Sequence, residues 1–305
     1  MKFNALTLSL CLAGPLAAPA LAQADTPAAG AAAAGAAAAG AAMHKVELQQ
    51  IRNATVKITY ADTTFLIDPM LAKKAAYPGF ENTYRSELRN PLVELPEPVV
   101  DVLAGVDAVI VTHTHLDHWD EAAQKMLPKD IPLFTQHQAD AQLIRSQGFT
   151  NVRVLSDKAE FGGVTLSKTG GQHGTDSMYA NPKLATLLGE AMGVVFQAQG
   201  YKTLYLAGDT IWRKEVDQAI DTYRPGIIVL NAGQARVEGF DGAIIMGEQD
   251  VLKASKVAGK ARIVAVHMDA VNHMTLSREQ LQAFVKQQGI DNRVDIPQDG
   301  ASLQF

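Results

Sequence analysis

Residues 106–118 read Val106-Asp107-Ala108-Val109-Ile110-Val111-Thr112-His113-Thr114-His115-Leu116-Asp117-His118, an apolar run that ends in three histidines and an aspartate. A short apolar run rich in β-branched residues reads as a buried strand. Such a strand delivers its last residues to a sheet edge, where the next turn can curl several side chains around one point. One histidine beside a strand is an ordinary surface or core residue. Three within six positions, with an acid between them, crowd lone pairs together for little packing benefit unless a cation holds them. The stretch reads as a metal cradle.

Three later stretches match it. His173 sits in residues 169–175 (TGGQHGT), Asp209 in residues 206–210 (LAGDT) and His267 in residues 263–269 (IVAVHMD). Taken alone, Gly208-Asp209-Thr210 is an ordinary turn. Taken in order after the cradle, the series resembles the ligand pattern of the metallo-β-lactamase superfamily, and the resemblance covers residues 47–305. It implies an α/β (α+β) fold, a four-layer αββα sandwich of two mixed β-sheets with flanking helices. It also implies that His113, His115 and His173 hold one metal ion, that Asp117, His118 and His267 hold a second, and that Asp209 bridges them. Neutral imidazoles with few carboxylates suit two zinc ions best, with manganese or iron as alternatives. Paired ions lower the pKa of a shared water. The expected reaction is attack by the resulting hydroxide, with Asp117 orienting it and passing a proton to the leaving group. Asp68, in Leu66-Ile67-Asp68-Pro69, is a strand-end cap on a plain reading; the resemblance puts it behind the ions, orienting an imidazole.

The start of the chain reads differently. Lys2, the apolar residues 5–12 and Ala20-Leu21-Ala22 make up a secretory signal peptide over residues 1–22, too short and too soon broken by Gly14 and Pro15 to be a membrane span. Residues 23–43 are an alanine–glycine tether with no apolar stripe to dock it, and residues 44–305 form one hydrolase domain. A periplasmic or secreted protein is expected. The single cysteine of the 305 residues, Cys11, lies in the signal, so neither disulfides nor thiolate ligands contribute afterwards. Loss of residues 1–22 removes one cation and no acid, moving the net charge from −5 to −6. Mild acidity without a basic tract argues for a small-molecule substrate and against nucleic acid. Oligomeric state is left open.

Along the domain, residues 46–60 have the alternation of a strand, and Ala61-Asp62-Thr63 turns into a second at 64–68. Residues 70–99 lack a period and carry four prolines among aromatics, which favours an ordered flap over the site. Helices are expected at 120–126, 137–147, 212–223 and 249–258, with His137 a helix-start residue away from the metal. Strands are expected at 133–135, 152–155, 164–167, 192–197, 203–206, 227–230 and 262–266. Ser277-Arg278-Glu279-Gln280 is a capping box before a last helix.

Substrate is less well marked. Asn53-Ala54-Thr55, Gly208-Asp209-Thr210 and Met246-Gly247 resemble the branch of the superfamily containing ascorbate-6-phosphate lactonase, although Asn53 stands where a histidine is common there. His273 is either a second catalytic residue, binding substrate or donating a proton, or a surface histidine before the last helix. Trp119 and Trp212 are core or site residues. The leading expectation is an exported metal-dependent hydrolase of a lactone, ester or amide. The alternatives are a phosphodiesterase, which the lack of arginines near the cradle disfavours, and a single-iron redox enzyme or non-catalytic metal-binding protein.

Overall fold

The computed structural model describes residues 44–305, so the signal peptide and tether read from residues 1–43 lie outside the described residues. The fold begins with three antiparallel strands, β1 (Glu47–Arg52), β2 (Thr55–Tyr60) and β3 (Thr63–Ile67). After helix α1 (Val99–Leu103), β4 (Ala108–Val111) pairs parallel to β3. Helix α2 (Glu121–Met126), β5 (Leu133–Thr135), α3 (Gln138–Ser146) and β6 (Val152–Val154) continue the parallel half. A second sheet opens with the hairpin β7 (Lys158–Phe161) and β8 (Val164–Thr169), followed by two short helices, α4 (Asp176–Tyr179) and α5 (Pro182–Leu188). It proceeds through β9 (Gly193–Gln197), β10 (Leu204–Leu206), α6 (Lys214–Tyr223), β11 (Ile227–Asn231), α7 (Glu248–Val257), β12 (Arg262–Val266), α8 (Arg278–Gln287) and β13 (Val294–Asp295). The last strand, β14 (Ser302–Gln304), crosses back to pair with β1.

Two seven-stranded mixed sheets result, ordered β14-β1-β2-β3-β4-β5-β6 and β13-β12-β11-β10-β9-β8-β7. Period-two alternation decides what each face covers. In β4, Ala108 and Ile110 join the core between the sheets, while Val109 and Val111 turn to a second core shared with Val102, Ala123 and Ile144 of the helices. In β11, Ile227 and Val229 face the first sheet, and Ile228 and Leu230 face Val216, Val251 and Leu281 on α6, α7 and α8. Strands apolar on both faces belong in a parallel sheet covered twice. The architecture is the four-layer αββα sandwich expected.

At the start of the domain one feature differs from the sequence reading, and the ordered segment that follows agrees with it. Residues 46–60 form two strands, because Asn53 takes a left-handed turn (φ +60°) that folds the run into a hairpin. The irregular segment 70–98 is pinned at both ends. Fully buried Arg52 donates to the carbonyls of Met70, Ala72 and Val93 at its base, and Asn272 holds its tip. Among the described residues, no helix is long and apolar enough to cross a membrane.

Candidate metal centre

Every expected ligand stands in a loop at the carboxyl end of a strand. His113, His115, Asp117 and His118 follow β4, His173 follows β8, Asp209 follows β10 and His267 follows β12, all along one edge of the sandwich. Backbone bonds lace the sheets together there, with Met192 N–H donating to Thr112 O and His267 N–H to Asn53 O. Close approach sets residue choice. A Cβ on Gly208 (φ +69°) would lie 2.3 Å from Met192 O, and one on Gly171 would lie 2.8 Å from Thr210. Residue 267 itself is left-handed (φ +65°), a costly backbone for histidine that aims its ring inward.

The seven side chains converge. The ligand atoms of His113, His115 and His173 lie within 4.8 Å of one another, as do those of Asp117, His118 and His267, and those of His113, His118 and Asp209. Asp209 Oδ2 is 3.9 Å from His113 Nε2 and 3.5 Å from His173 Nε2 on one side, and 3.1 Å from His118 Nε2 and 3.6 Å from His267 Nε2 on the other. It sits between the two triads.

Hydrogen bonds behind the rings fix which nitrogen faces inward. Thr112 Oγ1 donates to Asp68 Oδ2 (2.7 Å), leaving its lone pairs to accept His113 Nδ1–H at 3.1 Å. Asp68 Oδ2 also accepts from His118 Nδ1 at 2.8 Å. His173 Nδ1 donates to Ile244 O and His115 Nε2 to Leu187 O, each at 2.9 Å. Four imidazoles thus spend their outer N–H on oxygen and turn the other nitrogen to the centre, where His113 Nε2 and His115 Nδ1 stand 2.9 Å apart. Facing lone pairs repel unless a cation lies between them, so this donor set fits divalent metal ions. Asn231 Nδ2 donates to Asp209 Oδ1 at 2.6 Å and leaves Oδ2 for the centre.

The electrostatics agree. Burial pushes His113 well below the ordinary imidazole pKa, with His118 and His115 adding to it, and burial lowers His115 and takes His173 to about 4. These rings stay neutral, the form that metal binding requires. Burial opposes charge on His118 too, yet Asp209, Asp117 and Asp68 carry it well above its usual value. Against burial, His118 and His267 hold Asp209 well below the carboxylate range and lower Asp117. The carboxylates call for positive charge at the centre.

Around the cluster, His273 is 6% exposed, packs edge-on to Phe80 at 4.8 Å and has an unpartnered Nδ1; burial takes its pKa to about 4. It is not a surface histidine. Trp119 is core beside Phe149, and Trp212 rests half-buried on the helical face of the second sheet. His137 caps α3. Asn53 is fully buried, its side chain donating to Asp117 O, so it clamps the ligand loops. Thr112, Asn231 and the carbonyls of Leu187 and Ile244 escaped the sequence reading. Asn231 alone carried a signal, a polar residue closing the apolar run of β11.

A doubly covered sandwich with a His/Asp cluster at its carboxyl edge defines a metal-dependent hydrolase of the β-lactamase type. The family description "Beta-lactamase superfamily domain" matches residues 63–268. The Bacillus subtilis (strain 168) "UPF0173 protein YddR" is 46% identical over 260 residues, 85% of this chain and 100% of that protein. More distant relatives are described as UPF0173 metal-dependent hydrolases. The chain belongs to the metallo-β-lactamase superfamily and, within it, to the UPF0173 metal-dependent hydrolase family. Two crystal structures are similar at a TM-score of 0.83. One is described as "a possible metal-dependent hydrolase" of Veillonella parvula DSM 2008, 49% identical and covering 86% of this chain and 99% of that one. The other is an isothiocyanate hydrolase from Delia radicum gut bacteria, 51% identical and covering 85% and 99%.

Proposed function

We propose that the chain hydrolyses small neutral electrophiles at a centre of two divalent ions, with isothiocyanates as the leading substrates. One triad, His113, His115 and His173, would hold the first ion, and Asp117, His118 and His267 the second, with Asp209 shared; zinc suits the donors best. The observation that carries this reading is Asp209 Oδ2, placed 3.1–3.9 Å from imidazoles of both triads. Bound there, the ions would supply Lewis acidity and an acidified water at neutral pH.

The chain's own groups supply the rest. Asp117 Oδ2, 3.4 Å from His267 Nε2, lines the pocket above the cluster, where it can orient water and take its proton. His273, neutral and lining the same pocket, can contact the leaving atom. For an isothiocyanate, water adds across the carbon–nitrogen bond of R–N=C=S, oxygen to carbon and a proton to nitrogen, and the thiocarbamate R–NH–C(=O)–S⁻ takes a second proton on nitrogen as its carbon–nitrogen bond breaks to give the amine R–NH2 and carbonyl sulfide. Identity of 51% along nearly the full length of the isothiocyanate hydrolase supports this choice.

A lactone, ester or amide is the second reading, favoured by the same electrophilic-carbon chemistry. Among the described residues no lysine or arginine lines the pocket, which counts against a phosphorylated lactone or a phosphodiester. Export, with residues 1–22 removed and 23–43 as a tether, completes the proposal and is read from the amino terminus of the purified protein. The functional test is a substrate panel of isothiocyanates, lactones, esters, amides and a chromogenic phosphodiester, run on zinc-loaded protein. Carbonyl sulfide release from isothiocyanates is the expected result; turnover of the phosphodiester alone overturns the reading.

A further inference from the structure

The pocket over the cluster has a side that hydrolysis itself does not use. It encloses about 460 Å3, with His115, Asp117, His173 and His273 on its lining. Phe80, Leu116, Leu187, Leu188, Val237 and Ile244 supply its apolar part, and Asn82, Thr83 and Thr114 add neutral polar groups. Among the described residues Glu81 is its one acid besides Asp117, and no lysine or arginine side chain joins them.

Two of the apolar residues are held there by separate devices. Leu187, at the end of α5, is 66% exposed. Asn181 caps that helix through Lys183 and Leu184 N–H, and the Leu187 carbonyl accepts from His115 Nε2, so the residue is fixed relative to the cluster. Phe80 comes from the flap. Its N–H donates to Oδ1 of Asn272 at 3.0 Å, and fully buried Asn272 is bound both ways to Asn90 and donates to Thr83 Oγ1 and Tyr84 O. An exposed leucine that shares a pocket lining with an anchored aromatic gains by covering an apolar group.

We propose that Phe80 and Leu187 form a substituent subsite that selects substrates with a neutral, apolar tail and turns away anionic ones. The proposal deepens the hydrolase reading of the same site and rests on it for the electrophilic end of the substrate. The electrophilic carbon faces the cluster while the tail lies against the two side chains. Glu81, which no lysine or arginine of the described lining offsets, disfavours an anionic group on the tail.

Binding of unreactive analogues tests this apart from catalysis. Calorimetric titration of the zinc-loaded protein would compare N-methylthiourea, N-(2-phenylethyl)thiourea and the latter bearing a para-carboxylate on its ring. The phenylethyl compound should bind at least tenfold more tightly than the methyl one, and the carboxylate should abolish most of that gain. Leu187→Ala and Phe80→Leu should each cut the phenylethyl-to-methyl preference by roughly tenfold, with Leu187→Met recovering it. The same ratio in kcat/KM for the two isothiocyanates should move with it. An unchanged preference in both variants, or equal binding of the carboxylated tail, overturns the subsite. Turnover of no isothiocyanate, with thiourea preferences as expected, would remove the substrate assignment and leave the subsite standing.

Discussion

Asp68 is buried and does not line the pocket, yet its carboxylate accepts from Thr112 and His118 and sets two cluster rings at once. Asp68→Asn keeps the shape but puts an N–H where an acceptor is needed, so zinc affinity should fall about 10- to 100-fold, read by chelator competition. Wild-type affinity in that variant would mean the rings are held by their loops alone. His273 gives a pH prediction of definite sign. Its folded pKa is about 4, below the unfolded value near 6.5, so between those limits the unfolded chain takes a proton that the folded chain refuses. Its contribution therefore weakens as pH falls from about 6.5 to about 4, by up to on the order of 3 kcal/mol. Metal-free His273→Gln should gain on wild type in urea midpoint over that range; parallel profiles would contradict a buried neutral imidazole. At this scale the sequence marked the seven charged and imidazole groups because their types are rare together. It could not mark the Leu187 and Ile244 carbonyls, since every residue has one and only the fold brings these two to a ring nitrogen.

At the scale of elements, legibility followed covering. β4, β11 and β12 are apolar on both faces and stand out as runs, and the Ser277 capping box marks α8 as expected. The edge strands β7, β13 and β14 were missed, because Lys158–Phe161 alternates exposed with half-buried residues and the other two are very short. Their strand character comes from pairing. Helices α4 and α5 were missed too, though Asn181-Pro182 is a readable start. One element carries a correctable cost. Arg224 ends α6 in the left-handed region (φ +44°) and is exposed, a position that suits glycine. Arg224→Gly should raise stability by about 1 kcal/mol in urea titration, whereas Arg224→Ala, which keeps a Cβ, should not. Equal effects of the two would show that the backbone there is unstrained.

Across the whole molecule, the loops that carry the His/Asp cluster are tails of strands from both sheets, so an ion at the centre would tie the two halves of the sandwich together. Metal bound only by the folded chain stabilises it by mass action. With zinc at about 100 times its dissociation constant, the gain is about 2.7 kcal/mol, which for a domain of this size is a Tm shift of roughly 5–10 °C. Chelator treatment should remove that shift and added zinc restore it, followed by circular dichroism. A Tm indifferent to metal would separate the cluster from the stability of the fold.

The paired centre itself is tested most directly by counting ions. Mass spectrometry of the zinc-saturated chain under native conditions should find two per protein, with Asp209→Ala, which lacks the shared oxygen, holding fewer. One ion or none in the saturated wild-type chain would contradict it.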